Sequence, residues 1–424
     1  MKILALSNLY PPDMIGGYEV AFRQVVEGLI ERGHAVLVLT STPRQPVERV
    51  EHVDRRLRLA DEWNPNAMGL YSIIHLTTHA HSRFIDAHNV YELLATIESF
   101  EPDIVYLGNL VGIGGLSLLA TLRQRGIPWV WQLGDCIPTR LCSSRSGLIP
   151  ELADDFNRRV QGTYIAVSER VRREIEDSGI TLNGRVERLP NWIAGERPVD
   201  RPSYFQEGTL RVMSAGAVNR DKGVDILIEA ADCLKSMNIH NIEIDIYGKN
   251  GDGTLADMIQ TRNLQDRVRM MGSRTHPELL RHYRDYDVFA FPTQSREPFG
   301  IVALEAASNG CVPVVTRDCG IAEWFEHGEH LLKTDRDAES FAETLGNIAE
   351  GVIPLEPIAR RGLDVVWTDF HLDAVVPKIE AILHDAGLDL RYRSVSATGD
   401  EVYRMARMAE RLAESLIGEA MGAR

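Results

Sequence analysis

Short apolar runs alternate with amphipathic segments along the first half of the chain. Residues 2–8 and 34–41 are apolar runs of strand length, and residues 16–33 between them repeat apolar positions at helical spacing. A helix is also predicted from Gly115 to Arg125, and further strand-length runs occupy 103–109, 128–133, 163–168 and 186–190. Because strands that alternate with helices pair in parallel, this pattern predicts a doubly wound α/β sheet.

A second alternating series follows a segment that has no periodicity. Residues 194–209 are rich in proline, glycine and charge, which indicates a linker. After it, strands are predicted at 210–218, 242–248, 267–272, 287–292 and 311–316, and helices at 222–237, 254–263, 276–285 and 300–309. The sequence therefore predicts two Rossmann-like domains, residues 1–193 and 210–370. The carboxyl ends of their strands, where such sheets bind ligands, are expected to face each other across a cleft.

Two segments fit neither series. Residues 42–90 are irregular and contain four histidines, which have no carboxylate or cysteine partner at a useful spacing; we interpret the segment as a polar insertion, with a metal site as the alternative. The four are His75, His79, His81 and His88. Residues 386–424 are predicted to form a helical tail, in which 398–420 opens with a capping box from Thr398 to Glu401 and carries one apolar stripe. Its three arginines and five acids match anionic lipid poorly, so packing on the protein or on a second copy is favoured.

Composition narrows the class of protein. The 424 residues are 44% hydrophobic and 25% charged, with a net charge of −15, which argues against a nucleic-acid partner. No apolar run approaches the length of a transmembrane segment, and the first run is too short for a signal peptide. Five cysteines without CxxC spacing indicate reduced thiols and no zinc site. We therefore expect a cytoplasmic protein, with peripheral contact to the inner face of the membrane left open.

The segment from Ser295 to Ala306 carries the strongest chemical signal. It follows an apolar strand that stops at Pro292 and leads into a helix, so that Pro298–Gly300 lies at the helix start. Such a start presents backbone N–H groups and the positive end of the helix dipole, which suits a phosphate. Glu305, further along the helix, can accept hydrogen bonds from sugar hydroxyls. An ordinary βα unit with an acidic helix is the alternative.

This segment, SREPFGIVALEA, resembles the nucleotide-sugar signature of glycosyltransferase family 4, also called group 1, whose members are retaining enzymes of the GT-B fold. The resemblance covers roughly residues 1–385 and is strongest in the second half. It implies that Glu297 lies near the donor sugar and diphosphate and that Glu305 binds the nucleotide ribose. It also implies that the sugar and phosphates are held by the backbone of Phe299, Gly300 and Ile301.

A departing diphosphate needs fixed positive charge or a metal. Lys222, one of only six lysines, lies with Gly223 after the first strand of the second series, so its ammonium can reach the same sheet edge. The family pattern is Gly-Arg followed by Lys-Gly: Gly216 matches, Ala217 stands in place of the arginine, and Arg220 is a candidate for that charge. Two Asp-x-Asp pairs are interpreted as chance, so no metal site and no cofactor are expected. They are Asp285 with Asp287 and Asp335 with Asp337.

The first half carries one match to the family and one departure from it. Gly16 and Gly17 resemble the family's glycine loop, which lies beside the donor phosphates or the acceptor; a plain flexible turn is the alternative. Where related enzymes often read His-Leu-His-Asp, this chain has Gln-Leu-Gly-Asp, so Gly134 removes an imidazole that points at the reacting sugar. Asp135 is expected to contact the acceptor or the sugar, with capping of the following loop as the alternative. The resemblance further implies that a helix at 371–385 returns to the first domain.

Together these features predict a retaining glycosyltransferase of the hexosyltransferase type. It would move a sugar from a nucleoside diphosphate sugar, with UDP favoured, to an acceptor hydroxyl, without a metal. Lys222, Glu297 and Asp135 are the expected catalytic residues. The acceptor stays open between a lipid-linked molecule and a growing glycan, in polysaccharide or glycoconjugate synthesis. The rivals are a nucleotide-sugar epimerase on the same scaffold and a non-catalytic sugar-nucleotide binding protein.

Overall fold

The computed structural model divides the chain into two compact units. The first contains Met1–Val167, Val171–Leu189 and the described residues from Val376 onward, and the second contains Ser168–Arg170 and Pro190–Val375. The residues that the structure describes are 1–43, 45–60, 84–144, 147–199, 201, 203–249 and 253–389. The two units are therefore not simple halves of the sequence.

The first unit is built on a parallel sheet of seven strands in the order β3-β2-β1-β4-β5-β8-β9, and β6 and β7 form a separate antiparallel pair. The strands are β1 (Lys2–Leu6), β2 (Ala35–Ser41), β3 (Val53–Leu57), β4 (Ile104–Leu107), β5 (Trp129–Leu133), β6 (Ser143–Ser144), β7 (Gly147–Leu148), β8 (Gln161–Ala166) and β9 (Asn183–Arg188). All four residues of β4 are fully buried, which explains their continuous apolar run.

Helices connect these strands and cover the sheet. They are α1 (Gly17–Glu31), α2 (Ala87–Phe100), α3 (Gly115–Arg125), α4 (Ile137–Leu141), α5 (Pro150–Arg159) and α6 (Glu169–Asp177). On α1 the buried residues Phe22, Val25, Val26 and Leu29 recur at helical spacing, so one face of the helix is apolar.

The second unit has a parallel sheet of six strands in the order β12-β11-β10-β13-β14-β15. Its strands are β10 (Leu210–Ala215), β11 (Ile242–Tyr247), β12 (Val268–Gly272), β13 (Val288–Phe291), β14 (Val312–Thr316) and β15 (Leu332–Thr334). Its helices are α7 (Val224–Ser236), α8 (Thr254–Thr261), α9 (His276–His282), α10 (Ile301–Ala307), α11 (Ala338–Ala349) and α12 (Leu355–Asp369); α13 (Leu372–Gly387) follows and ends in the first unit.

The strand order of the second unit reverses direction between β10 and β13. The chain builds the sheet outward from β10 through β11 to β12, and then returns to place β13 on the other side of β10. From β10 the chain continues toward β11, and from β13 it continues toward β14, in opposite directions across the sheet. Such a reversal opens a crevice at the carboxyl ends, which is where open α/β sheets bind ligands.

Several elements correct the sequence predictions. Residues 42–90 are not simply an irregular insertion, because β3 pairs in parallel with β2 and α2 begins at Ala87. The polar segment Val-Asp-Arg-Arg-Leu was missed because β3 is an edge strand that is only half-buried. The helix predicted at 300–309 is shorter, Ile301–Ala307, since Gly310 takes a positive φ and donates to the carbonyl of Ala307. His75, His79, His81 and the 398–420 stripe lie outside the described residues.

The described part of residues 194–209 contains no helix or strand, and the compact units change at Leu189–Pro190. The functional boundaries at 193 and 210 stay a prediction. None of the described helices combines the length with the apolar character that crossing a membrane requires.

Candidate donor-sugar site

The loop after β10 packs directly on the end of β13. Gly223 has a φ of 70°, and a Cβ atom there would lie 1.5 Å from the carbonyl oxygen of Pro292, so any side chain would collide with the backbone. The amides of Gln294 and Ser295 donate to the carbonyl of Asp221 at 3.1 and 3.2 Å. These contacts hold the two diverging loops together at the carboxyl edge of the sheet.

The two loops bring Lys222 and Glu297 into an ion pair. The ammonium nitrogen of Lys222 lies 2.6 Å from Oε2 of Glu297, although the residues are 75 positions apart in sequence. The Glu297 side chain is only 11% exposed, while that of Lys222 is 38% exposed. A nearly buried carboxylate thus has a cation beside it that solvent, or a ligand, can reach.

The turn after β14 donates hydrogen bonds to the loop that carries Glu297. The amide of Gly320 donates to the carbonyl of Glu297 at 3.1 Å, and the amide of Ile321 donates to that of Phe299 at 2.7 Å. A Cβ atom at Gly320 would lie 1.9 Å from the carbonyl oxygen of Pro298, so this close approach requires glycine. Burial, with the charge of Glu297 as a smaller cause, raises the pKa of the Cys319 thiol to about 12.

The helix start predicted to bind phosphate is formed by Gly300. Its φ of 106° turns the chain out of the buried Phe299 and into α10, which begins at Ile301. The first N–H groups of a helix have no intrahelical partner, which leaves the amides of Ile301 and Val302 as candidates to bind an anion; the amide of Ala303 donates to the carbonyl of Gly300 at 3.1 Å. Glu305 lies on the same short helix, and its side chain is 11% exposed.

Glu305 has two partners that the sequence analysis did not identify. Its Oε1 lies 2.7 Å from Nε2 of His276, and its Oε2 accepts from the hydroxyl of the buried Tyr283 at 3.4 Å. The hydrogen bond with Glu305 raises the pKa of His276. The sequence GSRTHPELL did predict a helix beginning at His276. What it could not predict is that the connection after β12 passes close to α10.

Two other predicted donor residues, Gly216 and Arg220, lie earlier in the loop that follows β10. Gly216 follows β10, and its carbonyl is packed so tightly that a Cβ atom at Gly248 would lie 1.8 Å from it. Arg220 is 67% exposed, with Nη1 3.9 Å from Oδ2 of Asp225 at the start of α7. No contact of Arg220 with Glu297 is present among the described residues, and Ala217 is exposed. The structure therefore brings together Lys222, Glu297 and the Gly300 turn, and leaves Arg220 at the rim.

In the first unit, Gly16 and Gly17 form the end of an open loop. The carboxylate of Glu19 accepts from the amides of Ile15 and Gly16 at 3.2 and 3.0 Å, which fixes the loop on the first turn of α1. A Cβ atom at either glycine would have no heavy atom within 4 Å. Among the described residues, none fills the space next to these two glycines, and their role in binding stays a prediction.

The end of β5 is covered by an aromatic ring. A Cβ atom at Gly134 would lie 2.5 Å from two ring carbons of Tyr18, and the Tyr18 hydroxyl donates to the carbonyl of Gln132. The carboxylate of Asp135 accepts from the amide of Cys136 at 2.6 Å and from Arg140 at 2.7 Å. These contacts hold Asp135 in the turn before α4, whose N-cap residue is Cys136 and whose start has no side-chain cap.

The Asp-x-Asp pairs are engaged in local contacts. Asp287 accepts from the amide of Arg211 at 3.0 Å, and Asp337 caps α11 by accepting from the amide of Ser340 at 2.7 Å. Asp285 and Asp335 pair with His282 and Arg317 respectively, each at 3.2 Å. Within the described ranges, no three His, Cys, Asp or Glu side chains are grouped as metal ligands.

Two family models match this chain in succession. The model of glycosyl transferases group 1 matches residues 197–352, which contain Lys222, Glu297 and Glu305, and the glycosyl transferase 4-like domain matches residues 16–192. The chain is a group 1 glycosyltransferase. It is therefore an enzyme, and its two parallel-sheet α/β units have the GT-B fold.

Curated relatives of this glycosyltransferase match most of its length. It is 25% identical to a D-inositol 3-phosphate glycosyltransferase of Pseudarthrobacter chlorophenolicus, over 76% of this chain and 78% of the relative. It is 24% identical to a glycogen synthase of Mycobacterium tuberculosis, over 88% of this chain and 92% of the relative.

Solved structures share the fold at lower identity. Sucrose-phosphate synthase from Thermosynechococcus elongatus superposes with a TM-score of 0.67 at 18% identity, over 91% of this chain and 98% of the other. Anabaena HepE in complex with UDP and glucose superposes with a TM-score of 0.59, also at 18% identity, over 91% of this chain and 100% of the other.

Proposed function

We propose that this glycosyltransferase transfers a sugar from a UDP-sugar to an acceptor hydroxyl with retention of the anomeric configuration and without a metal ion. Polysaccharide or glycoconjugate synthesis is the proposed setting, with a lipid-linked molecule or a growing glycan as acceptor. The observation that carries the proposal is the Lys222–Glu297 pair at the strand reversal of the second unit, 2.6 Å apart and beside the Gly300 helix start. The complex of HepE with UDP and glucose supports a UDP-linked donor.

Different parts of the donor would bind to different groups of the protein. The ammonium of Lys222 and the backbone from Phe299 to Ile301 suit the diphosphate, because both offer N–H donors and positive charge. The Glu305 carboxylate suits the ribose hydroxyls, and Glu297 suits the hydroxyls of the transferred sugar. When the diphosphate binds, Lys222 can contact it while it continues to neutralise Glu297. Arg220 lies two residues before Lys222, and its long side chain would add a second positive charge at the exposed edge of the site.

Catalysis would then consist of stabilising the leaving group. The bond between the anomeric carbon and the phosphate oxygen breaks while the acceptor oxygen bonds to that carbon from the same face. The acceptor proton passes to the departing phosphate oxygen, so no side chain need act as the base. Lys222 and the helix start face the charge that develops on the diphosphate. A preorganised group of this kind typically contributes about 3 kcal/mol, or roughly two orders of magnitude in rate.

Metal independence is proposed because aspartates of both Asp-x-Asp pairs already form other contacts. Asp287 neutralises Arg201 and accepts from a strand amide, and Asp337 caps a helix, so recruiting either to a metal would break those contacts. The positive charge of Lys222 would take the place of a metal cation beside the diphosphate.

The proposal is tested by incubating the full chain with UDP-, ADP- and GDP-sugars, each with and without lipid-linked and oligosaccharide acceptors. Release of nucleoside diphosphate is measured together with the anomeric configuration of the product by proton NMR. Retention with a UDP-sugar is expected. Formation of a free UDP-sugar isomer without acceptor would indicate an epimerase, and binding without any turnover would indicate a non-catalytic protein.

A further inference from the structure

His276 and Glu305 form a pair that the proposed chemistry does not yet use. Nε2 of His276 lies 2.7 Å from Oε1 of Glu305, and the imidazole is 63% exposed while the carboxylate is 11% exposed. His276 is the first residue of α9, and a capping box between Thr275 and Glu278 fixes that helix start. The imidazole therefore reaches the carboxylate from an anchored backbone position.

The pair leaves room for a further ligand on the same carboxylate. A carboxylate offers about four lone-pair positions on its two oxygens. His276 occupies one on Oε1, and the Tyr283 hydroxyl, at the longer distance of 3.4 Å, occupies one on Oε2. The remaining positions are sufficient for two vicinal hydroxyls. The imidazole therefore leaves acceptor positions of the carboxylate unoccupied.

The charged surroundings favour this role. Four titratable residues besides His276 belong to α9 or the turn before it: Arg274, Glu278, Arg281 and His282. Of these, Glu278 accepts hydrogen bonds from Thr275, and His282 pairs with Asp285. Among the described residues, the side chains that contact the Glu305 carboxylate are the imidazole of His276 and the hydroxyl of Tyr283. Because the carboxylate only accepts, the imidazole nitrogen must donate.

We propose that His276 is a positioning residue for the nucleotide ribose: it holds Glu305 in the orientation in which the carboxylate accepts from the two ribose hydroxyls. The inference rests on the proposed function, in which Glu305 binds the ribose. It adds a residue outside the EPFG…LEA segment to the donor site. It also predicts that the effect of His276 is confined to ligands that carry those hydroxyls.

The test compares UDP with its 2′,3′-dideoxy analogue by calorimetry on the full chain. His276→Ala should weaken UDP binding about tenfold, the effect of one charge-assisted hydrogen bond, and should change binding of the dideoxy analogue by less than about twofold. His276→Gln, whose amide can still donate to Glu305, should restore most of the UDP affinity. The control is His282→Ala, because His282 is the last residue of the same helix and does not contact Glu305.

Two results would overturn the inference while leaving the proposed function intact. One is an unchanged UDP affinity in His276→Ala, and the other is an equal loss for UDP and the dideoxy analogue. If the wild-type chain binds none of UDP, ADP and GDP, the proposed function fails and the inference fails with it. Melting temperatures of all variants identify any change that comes from unfolding.

Discussion

At the scale of single residues, glycines with positive φ angles lie close in sequence to the charged residues of the candidate site. Gly223 lets two loops touch, and Lys222 beside it then reaches Glu297. Gly300 turns the chain into α10, so that Glu305 faces His276. Exchanging such a glycine would therefore displace a charged neighbour as well as strain the backbone.

The two glutamates should separate affinity from turnover. Glu305→Ala is expected to weaken UDP binding by about 1.5–3 kcal/mol, roughly 10- to 150-fold, because it removes the acceptor of the ribose hydroxyls. Glu297→Ala should lower kcat more than it lowers UDP affinity, because its carboxylate lies beside Lys222. Calorimetry and steady-state kinetics measure both quantities, with Glu329→Ala as a surface control. Unchanged UDP affinity in Glu305→Ala would contradict the ribose assignment.

Because the Tyr18 ring covers Gly134, a side chain at position 134 should destabilise the fold. Gly134→His would place a Cβ atom 2.5 Å from the Tyr18 ring, and overpacking of this kind costs about 1–3 kcal/mol. Adding Tyr18→Ala to the same chain should recover part of the loss. Denaturant unfolding of the single and double variants checks this, and Gly387→His, at a position with no heavy atom within 4 Å, is the control. Equal losses in the single and double variants would show that the ring is not the obstacle.

Asp135 has two possible roles that one substitution distinguishes. We expect Asp135→Asn to lower turnover at an unchanged melting temperature, and to lower it by more than Gly134→His raises it. The contacts with Cys136 and Arg140 offer the competing outcome, a loss of about 1 kcal/mol in stability with kinetics intact. Asp337→Ala, at the N-cap of α11, shows what the loss of a purely structural cap looks like. A destabilised but fully active Asp135→Asn would exclude the catalytic role.

At the scale of elements, the sequence predicted most of the strands and helices that carry the site. The apolar runs of β10 and β13 and the helix that begins near Ile301 were identified because buried strands and helix starts leave local signals. The polar edge strand β3 and the three-residue β15 leave no such signal. The contact between His276 and Glu305 was missed for a different reason, since it depends on how α9 packs after β12.

The pairing of α9 with α10 should make stability depend on pH. Glu305 raises the pKa of His276 above its unfolded value of about 6.5, so the protonated pair stabilises the fold. This contribution is fully present below that pH and is lost as pH rises through the raised pKa. The melting temperatures of wild type and His276→Gln should therefore differ most at low pH and converge once the pH exceeds the raised pKa of His276. A difference that stays constant with pH, or that also occurs in His282→Gln, would exclude the pair as its cause.

At the scale of the whole molecule, an acidic enzyme is proposed to bind an anionic donor without a metal. Because the net charge is −15, an anionic donor needs a local positive charge, and Lys222 supplies one at the strand reversal. Turnover should therefore be unchanged by EDTA and should not rise on addition of Mg²⁺ or Mn²⁺. Diphosphate release in metal-stripped buffer measures this. Activity that EDTA abolishes and a divalent ion restores would refute metal independence.

The return of the chain to its first unit affects how the protein is made. Val376 lies with its methyl groups 3.0 and 3.2 Å from where a Cβ atom of Gly28 would be, and Glu380 pairs with Arg32 at 2.5 Å and with His34 at 2.7 Å. When translation has reached Pro190, the part of the first unit from Val376 onward has therefore not yet been made. The second unit, whose residues are all synthesised by Val375, has its complete sequence earlier. A premature stop codon just after Val375 would leave the second unit whole and remove from the first unit the part of α13 that packs on α1.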